Sequence, residues 1–358
     1  MTMKELVKKL QEKYNLFPVH YDAVLKGAEE LEKYPEKKEW AKKQAEEYGR
    51  RTFRDCRDME LPEFGVSLVD DMLALFILLP NVESMVEQYQ KRGLPYDKAL
   101  EQIDGCISAV QRRRGREGID RRYFDWLANY FKCMIFQGGV FRVEVGIHKR
   151  PAMVLRHCCT GRYEIMMTDG TYHRSGNVLG SAGCTDTEGS FEADFCETET
   201  EYTGCLAKNG LVSPVRVTLS KKEWEVYLKQ GDTTLSLHIP KGAELTRENI
   251  QSSVKEAWET AKKVYPEYDI KAVHCYSWLL NPKLAEIVGE NSKIGIFGSS
   301  FLRYPSKTDG MDVFGFVFPQ MHDGYETLPE NTRLERGLKK LYMEGGYLLN
   351  TAGVIPGI

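Results

Sequence analysis

The sequence has no long apolar run and no strong excess of charge of either sign. Its longest apolar run, residues 72–79, is far shorter than a segment that spans a bilayer. Its 49 lysines and arginines nearly balance 52 aspartates and glutamates, so no broad field attracts nucleic acid or an anionic membrane. The first residues run directly into a charged amphipathic helix without an apolar leader. We therefore expect a cytoplasmic protein that binds neither nucleic acid nor membrane.

The sequence also lacks the cysteine spacing of a disulfide framework or of a structural zinc site. Its cysteines number nine, an odd count, and no two of them form a Cys-x-x-Cys pair. His157-Cys158-Cys159 offers too few ligands for a metal ion, and a buried strand end explains these residues as well. We expect free thiols and no bound metal.

The first part of the chain has apolar residues that recur at helical spacing. A length of 358 residues favours two domains, and the apolar content of 42% is that of an ordinary globular protein. Helices are predicted over residues 6–14, 24–31, 66–79, 82–92, 96–114 and 123–134. We therefore predict an all-helical N-terminal domain.

At Gly138-Gly139 the spacing of apolar residues changes from that of a helix to that of a strand, which marks the predicted boundary between domains 1–137 and 138–358. Residues 141–147 alternate between apolar and polar side chains, as in a strand with one buried face. Further strands are predicted over 153–156, 163–167, 190–196 and 215–219. The sequence Ser-Lys-Lys-Glu at 220–223 predicts the capped start of a short helix that ends near Lys229.

The segment 233–318 is predicted to follow the order strand, helix, strand, helix, strand, strand. Strands over 233–240 and 270–280 flank a helix capped by Thr246, and a right-handed crossover of this length makes the two strands parallel neighbours. The later predicted elements are a short helix from Asn281-Pro282 to Gly289, strands over 293–303 and 311–318, and a helix over 333–343. The predicted fold class is α+β, with a helical domain followed by an α/β domain in which helices flank a mixed sheet.

The loop after the first of these strands has the features of an anion site. Gly242 permits close approach of the backbone, Lys241 and Arg247 carry positive charge, and the first amides of the helix point outward. A phosphate or pyrophosphate fits such a loop, and an ordinary strand-to-helix turn with a surface lysine is the alternative.

His238 and Cys275 lie near the ends of the two parallel strands and are candidate catalytic residues. His274 lies on the opposite face of its strand from Cys275, so any histidine partner for that thiol must come from another element, and His238 on the neighbouring strand is the obvious candidate. An inert buried thiol and a core histidine are the alternatives. The acidic stretch 194–201 offers either a general base or the solvated side of an edge strand.

Four segments together resemble one family. They are residues 235–242 (Leu-Ser-Leu-His-Ile-Pro-Lys-Gly), 274–284 (His-Cys-Tyr-Ser-Trp-Leu-Leu-Asn-Pro-Lys-Leu), 178–184 (Val-Leu-Gly-Ser-Ala-Gly-Cys) and 328–334 (Leu-Pro-Glu-Asn-Thr-Arg-Leu). The combination resembles bacterial acyltransferase-domain proteins that have a helical N-terminal domain and a GNAT-like C-terminal domain. The resemblance covers nearly the whole chain.

The resemblance implies an acyl-CoA-dependent N-acyltransferase, with acetyl-CoA or another acyl-CoA as co-substrate and a small-molecule amine as acceptor. In GNAT chemistry the amine attacks the thioester directly, a base removes its proton, and backbone amides stabilise the oxyanion. The residues implied around the pyrophosphate are Lys241, Gly242, Ala243, Leu245, Thr246 and Arg247. Those implied beside the pantetheine are Ser277, Trp278 and Asn281, and the candidate catalytic residues are His238, Cys275 and Ser277.

Two features of the usual GNAT pattern are absent from the sequence. The loop after the first parallel strand has one glycine in place of the Gln/Arg-x-x-Gly-x-Gly/Ala signature, and no tyrosine lies on the short helix after Asn281. These differences leave open a second hypothesis, a GNAT-like binding or regulatory module without catalytic turnover.

Overall fold

The computed structural model describes residues 1–52, 59–318 and 322–356. The chain divides into two compact units, Met1–Phe136 and Gln137–Ile358. Cys56, one of the nine cysteines of the sequence, lies outside the described residues.

The first unit is helical, as predicted. Its helices within the described residues are α1 (Met3–Tyr14), α2 (Tyr21–Leu31), α3 (Pro35–Arg50), α4 (Ser67–Leu78), α5 (Val82–Lys91), α6 (Asp97–Arg114) and α7 (Arg121–Phe131). Helix α4 is buried at every position from residue 72 to 78 and packs against α2, α3 and α7. A helix that is apolar on all sides belongs at the centre of a bundle, which is where α4 lies.

The second unit is built on two sheets and a set of flanking helices. The strands are β1 (Ile135–Gly138), β2 (Phe141–Ile147), β3 (Ala152–His157), β4 (Tyr163–Met167), β5 (Thr171–Tyr172), β6 (Phe191–Glu192), β7 (Cys196–Glu197), β8 (Glu201–Lys208), β9 (Leu211–Ser220), β10 (Trp224–Leu228), β11 (Thr233–His238), β12 (Ile270–Ser277), β13 (Leu302–Pro305) and β14 (Thr351–Ile355). The helices are α8 (Arg247–Val264), α9 (Lys283–Val288), α10 (Lys293–Ser299), α11 (Asp312–Phe316) and α12 (Arg333–Met343).

The main sheet has the strand order β1-β2-β11-β12-β14-β13. Strands β11 and β12 are parallel, whereas β2 and β14 pair with them in the antiparallel sense. Helix α8 connects β11 to β12 and packs against β2 and β12. The prediction of a mixed sheet with a strand–helix–strand unit at its centre is therefore confirmed.

The second sheet covers part of one face of the main sheet. Its order is β10-β3-β4-β8-β7, with β9 also paired to β8. Val154 and Ile165 of the second sheet share one apolar core with Ala272, Tyr304 and Ala352 of the main sheet. Both sheets therefore depend on the same buried layer.

No helix among the described residues is both long enough and apolar enough to cross a membrane. Within the same residues, no group of three histidine, cysteine, aspartate or glutamate side chains is arranged to hold a metal ion.

The prediction of a helix after residue 220 is wrong. Residues Trp224–Leu228 form strand β10, which pairs with β3 in the antiparallel sense. The Ser220 hydroxyl accepts a hydrogen bond from Lys222 N, and Glu223 N donates to Ser220 O, so the segment closes a turn. The aromatic and β-branched residues that follow favour a strand with cross-strand partners over one helical turn.

The prediction of strands over 293–303 and 311–318 is also wrong. Ser292 caps helix α10 by accepting a hydrogen bond from Gly295 N at 3.0 Å, and only Leu302–Pro305 is extended. Residues Asp312–Phe316 form helix α11. The partner of β13 is β14, a strand without a predicted counterpart. The apolar pattern after Ser292 is compatible with a short helix as well as with a strand, and the serine cap stabilises the helix.

A group of polar side chains is buried between the two sheets. The His148 ring lies 5.6 Å from the His274 ring and 6.2 Å from the Tyr304 ring, measured between centroids. His148 Nδ1, His274 Nε2, Tyr304 Oη and Thr234 Oγ1 have no hydrogen-bond partner among the described residues. Burial, with the neighbouring His148 and Arg150, lowers the pKa of His274 to about 3, and burial also lowers the pKa of His148. Both rings are therefore neutral in the folded protein at neutral pH.

These buried histidines predict a loss of stability in acid. A histidine in the unfolded chain takes up a proton below about pH 6.5, whereas buried His274 does not, so unfolding is favoured as the pH falls. From pH 7.5 to 5.0, this one residue should lower the free energy of unfolding by about 2 kcal/mol. Urea unfolding at the two pH values should show a smaller acid effect in His274→Gln, and His157→Gln serves as the control. Equal acid effects in the wild type and in His274→Gln would contradict the assignment.

Candidate functional site

The two parallel strands of the main sheet part before they end. Their register runs from Thr233 opposite Ile270 to Ser236 opposite His274 and stops there. Strand β11 stays paired with β2 through His238, and β12 stays paired with β14 through Ser277. Because each strand follows its outer neighbour, a gap opens between them at their carboxyl ends, where open α/β sheets bind ligands.

Cys275 closes the base of this gap. Its thiol donates a hydrogen bond to Leu237 O at 3.5 Å and is buried. Burial raises the pKa of Cys275 to about 12, so the thiol is protonated at neutral pH. A protonated, bonded thiol is a poor nucleophile. The structure does not bring Cys275 together with His238 as a nucleophile and its base, because these side chains point to opposite faces of the sheet.

His238 instead pairs with a carboxylate that is not among the predicted site residues. His238 Nε2 lies 2.9 Å from Glu144 Oε2. Register explains the contact: His238 is opposite Arg142 and Ser236 is opposite Glu144, so the histidine and the glutamate are diagonal neighbours on one face. The Glu144 side chain is 12% exposed and that of His238 is 36% exposed. Charged residues alternate with apolar ones on β2, and this pattern could have indicated Glu144 from the sequence.

A carboxylate at this distance determines how the imidazole can act. When Nε2–H donates to Glu144, the lone pair of the ring is on Nδ1, and the carboxylate stabilises the imidazolium that forms when Nδ1 takes a proton. The pair is therefore suited to general base chemistry at the mouth of the gap.

The loop from Pro240 to Thr246 makes a tight turn and leads into the capped start of α8. Ala243 N donates to Pro240 O at 3.1 Å, and Gly242 between them has φ of +84°, a value that favours glycine. Thr246 caps α8 as predicted, accepting from Asn249 N at 3.2 Å.

Beyond this cap, the first turn of α8 leaves two donors open. Arg247 N and Glu248 N have no acceptor among the described residues. The side chains of Lys241 and Arg247 are exposed, and Leu245 anchors the loop in the core. Glu244, which would repel an anion, is ion-paired with Lys293. Open amides and positive charge at a helix N-terminus are features that suit an anion.

The residues that follow β12 fix the other side of the gap. Ser277 Oγ accepts from Leu279 N at 3.1 Å, which starts a short 3-10 turn. Trp278 is largely buried, in an apolar cluster with Leu284 and Leu338. Asn281 Nδ2 donates to Leu349 O at 2.8 Å, and its Oδ1 accepts from Lys283 N at 3.0 Å. These three side chains hold the chain in place where it leaves the sheet.

The acidic stretch 194–201 lies apart from this arrangement. It includes β7, which lies at one edge of the second sheet. Asp194 pairs with Arg216 at 2.7 Å, and Glu197 pairs with Lys221 at 2.6 Å. Ion-paired, exposed carboxylates on an edge strand are those of a solvated sheet edge.

The state of Cys275 leads to a labelling prediction. Iodoacetamide at pH 8 should alkylate the exposed free thiols Cys158, Cys159 and Cys196 in the native protein and leave Cys275 unmodified, because alkylation requires a thiolate and access. Mass spectrometry of peptides measures each site, and unfolding in guanidinium should make Cys275 reactive. Native labelling of Cys275 as fast as that of Cys196 would show an accessible thiolate.

Comparison with solved structures identifies similar folds over the whole chain. A mutant of an acyltransferase in complex with octanoyl-CoA has a TM-score of 0.64 and 13% identity, with 98% of this chain and 87% of that chain covered. An acyltransferase in complex with decanoyl-CoA gives a TM-score of 0.62 and 15% identity over 99% and 86% of the two chains. An acyltransferase in complex with decanoyl-CoA and teicoplanin gives 0.62 and 14% over 99% and 88%. Identities this low show a similarity of fold alone.

Comparison by sequence gives a family. None of the curated protein sequences compared with the chain matches it. A family model described as a GNAT-like C-terminal domain matches residues 162–355, which is more than half of the chain. This match spans β11, α8 and β12, the elements around the gap. The chain therefore belongs to the family that has this GNAT-like C-terminal domain.

Proposed function

We propose that this protein is an acyl-CoA-dependent acyltransferase that moves an acyl group from the CoA thioester to a small-molecule amine. The observation that carries the proposal is the gap between β11 and β12, with the His238–Glu144 pair at one side and an anion site at its mouth. The acyl-CoA complexes of the three similar folds support it. Because acyl-CoA is an intracellular thioester, we place the reaction in the cytoplasm.

The donor would lie across the end of the gap. Its pyrophosphate would accept hydrogen bonds from Arg247 N and Glu248 N, with Lys241 and Arg247 supplying charge. Gly242, Ala243, Leu245 and Thr246 would shape the loop around it. The charge of Lys241 and Arg247 would thus strengthen binding of the pyrophosphate in a loop that has one glycine. The pantetheine would run between the strands, beside Ser277, Trp278 and Asn281, whose own side chains keep that edge rigid.

Transfer would proceed by direct attack. The amine nitrogen forms a bond to the thioester carbon, His238 takes the proton that the nitrogen loses, and Glu144 stabilises the imidazolium. Backbone amides at the gap stabilise the oxyanion. The C–S bond then breaks, and the proton passes to the departing thiolate. Cys275 and Ser277 are positioning residues in this scheme, since their polar atoms are bonded within the fold.

The test uses the intact chain with octanoyl-CoA and a panel of primary amines, and measures release of the CoA thiol. His238→Ala should lower kcat about 100-fold or more, the usual contribution of a general base, and Glu144→Gln should lower it less. Neither change should weaken binding of octanoyl-CoA in calorimetry, and His157→Ala serves as the matched control. An undiminished rate in His238→Ala would refute the assigned base. No heat with octanoyl-CoA at millimolar concentration would favour the non-catalytic module.

A further inference from the structure

A polar pocket of about 450 Å³ opens beside the end of β12. We call it the acidic pocket, and its residues include Tyr276, Lys307, Thr308, Asp309, Asp312 and Asn350. Its two carboxylates and one ammonium give it a net formal charge of −1. It has no part in holding the donor in the scheme above.

The segment that carries the two aspartates is held by a set of hydrogen bonds. Thr308 N donates to Ser181 Oγ at 3.3 Å, and Ala182 N donates to Thr308 O at 3.1 Å. Gly310 N donates to Thr308 Oγ1 at 3.0 Å, and Met311 N donates to Asp309 Oδ1 at 2.9 Å. The wall of the pocket is therefore built from two loops that brace each other.

Asn350 is the second and independent sign of a ligand. It is 3% exposed, and its Nδ2 donates to Asp312 Oδ2 at 2.5 Å, which places its amide at the acidic wall. Its Oδ1 is buried and has no hydrogen-bond partner among the described residues. A buried carbonyl oxygen without a donor is costly, so this atom favours a ligand that brings an N–H or an O–H group.

One residue of the pocket, Tyr276, lies on the same face of the sheet as the proposed base. Ser236 and His274 are the last pair across the parallel strands, so His238 and Tyr276, two residues further, share one face on opposite sides of the gap. Tyr276 lines the acidic pocket, and the Arg150 guanidinium packs over its ring at 4.2 Å. Tyr276 therefore belongs both to the lining of the pocket and to the strand end that borders the gap.

We propose that the acidic pocket is the acceptor subsite and that it selects primary amines that carry both positive charge and hydroxyl groups. The acceptor role rests on the proposed acyl transfer. Asp309 and Asp312 would attract the ammonium, and Asn350 Oδ1 would accept a hydrogen bond from a neighbouring hydroxyl. An acceptor with a carboxylate or phosphate beside its amine would be repelled by the same aspartates.

The proton balance follows from the charge of the acceptor. The bound ammonium first loses one proton to solvent, which leaves a neutral amine. The nitrogen then forms its bond to the thioester carbon, the C–S bond of the resulting intermediate breaks, and the second proton passes through His238 to the departing thiolate.

The first arm of the test is binding, which does not depend on turnover. Glucosamine and glucose form a matched pair in which an ammonium replaces a hydroxyl. The intact protein, with CoA present, should bind glucosamine about tenfold more tightly than glucose, the gain expected of one charge-assisted contact. Asp309→Asn, at an exposed position, should reduce this preference, and Asp309→Asn with Asp312→Asn should abolish it. Asp269→Asn, at the opposite end of β12, should retain it. Equal affinity for the two sugars, or an unchanged preference in the double variant, overturns the proposal.

The second arm is kinetic and separates this proposal from the proposed function. With octanoyl-CoA as the donor, Asp309→Asn should raise KM for glucosamine about fivefold and leave kcat unchanged, the reverse of the pattern in His238→Ala. If octanoyl-CoA is bound and the sugar preference is absent, the acidic pocket proposal alone fails. If octanoyl-CoA neither binds nor is consumed while the preference persists, the acyl transfer fails and the acceptor role of the pocket fails with it.

Discussion

The site depends on a competition between hydrogen-bonded neighbours in the main sheet. Strands β11 and β12 stop pairing at Ser236 and His274, yet each continues along its outer partner, β2 or β14. Those outer ladders pull the two carboxyl ends apart. The gap, the loop that leads into α8, and the placement of His238 and Tyr276 on its two sides all follow from that divergence.

Burial and neighbouring charge, more than residue type, determine which of these side chains can take part in acid–base or nucleophilic chemistry. Cys275 and His274 are chemically versatile side chains, but burial keeps the thiol protonated and the imidazole neutral. His238 lies two residues beyond the last parallel pair, is partly exposed and has a carboxylate at 2.9 Å. Neighbouring positions on two strands thus have opposite chemical character, because the sheet opens between them.

The fold was most predictable from the sequence where a helix cap and the apolar pattern of the flanking segments indicated the same elements. Thr246 caps α8 and the two flanking strands are apolar, so the central strand–helix–strand unit was predictable. Helix α3 was missed because its face toward the core is small, with Ala41, Ala45 and Tyr48 as its buried residues. Strand β14 is short, and only its pairing with β12 and β13 explains it.

The candidate site was predictable in part for the same reason. His238 and the loop after it could be selected from one segment, whereas Glu144 contacts His238 across 94 positions of sequence and required the register of β2 with β11. Asn281 could be located, but its hydrogen bonds to Leu349 and Lys283 depend on how the chain leaves β12. Pairing between distant strands carries no local signal, which is why these contacts needed a structure.

The most direct measurement of the central claim is hydrogen–deuterium exchange with and without octanoyl-CoA. If the gap between β11 and β12 receives the donor, amides in residues 237–248 and 275–281 should exchange more slowly in its presence, because the ligand covers the open main chain. Peptides from the second sheet, such as those from β9, should be unaffected. Unchanged exchange in both segments, at a concentration where binding is measured independently, would contradict the account and place the donor elsewhere.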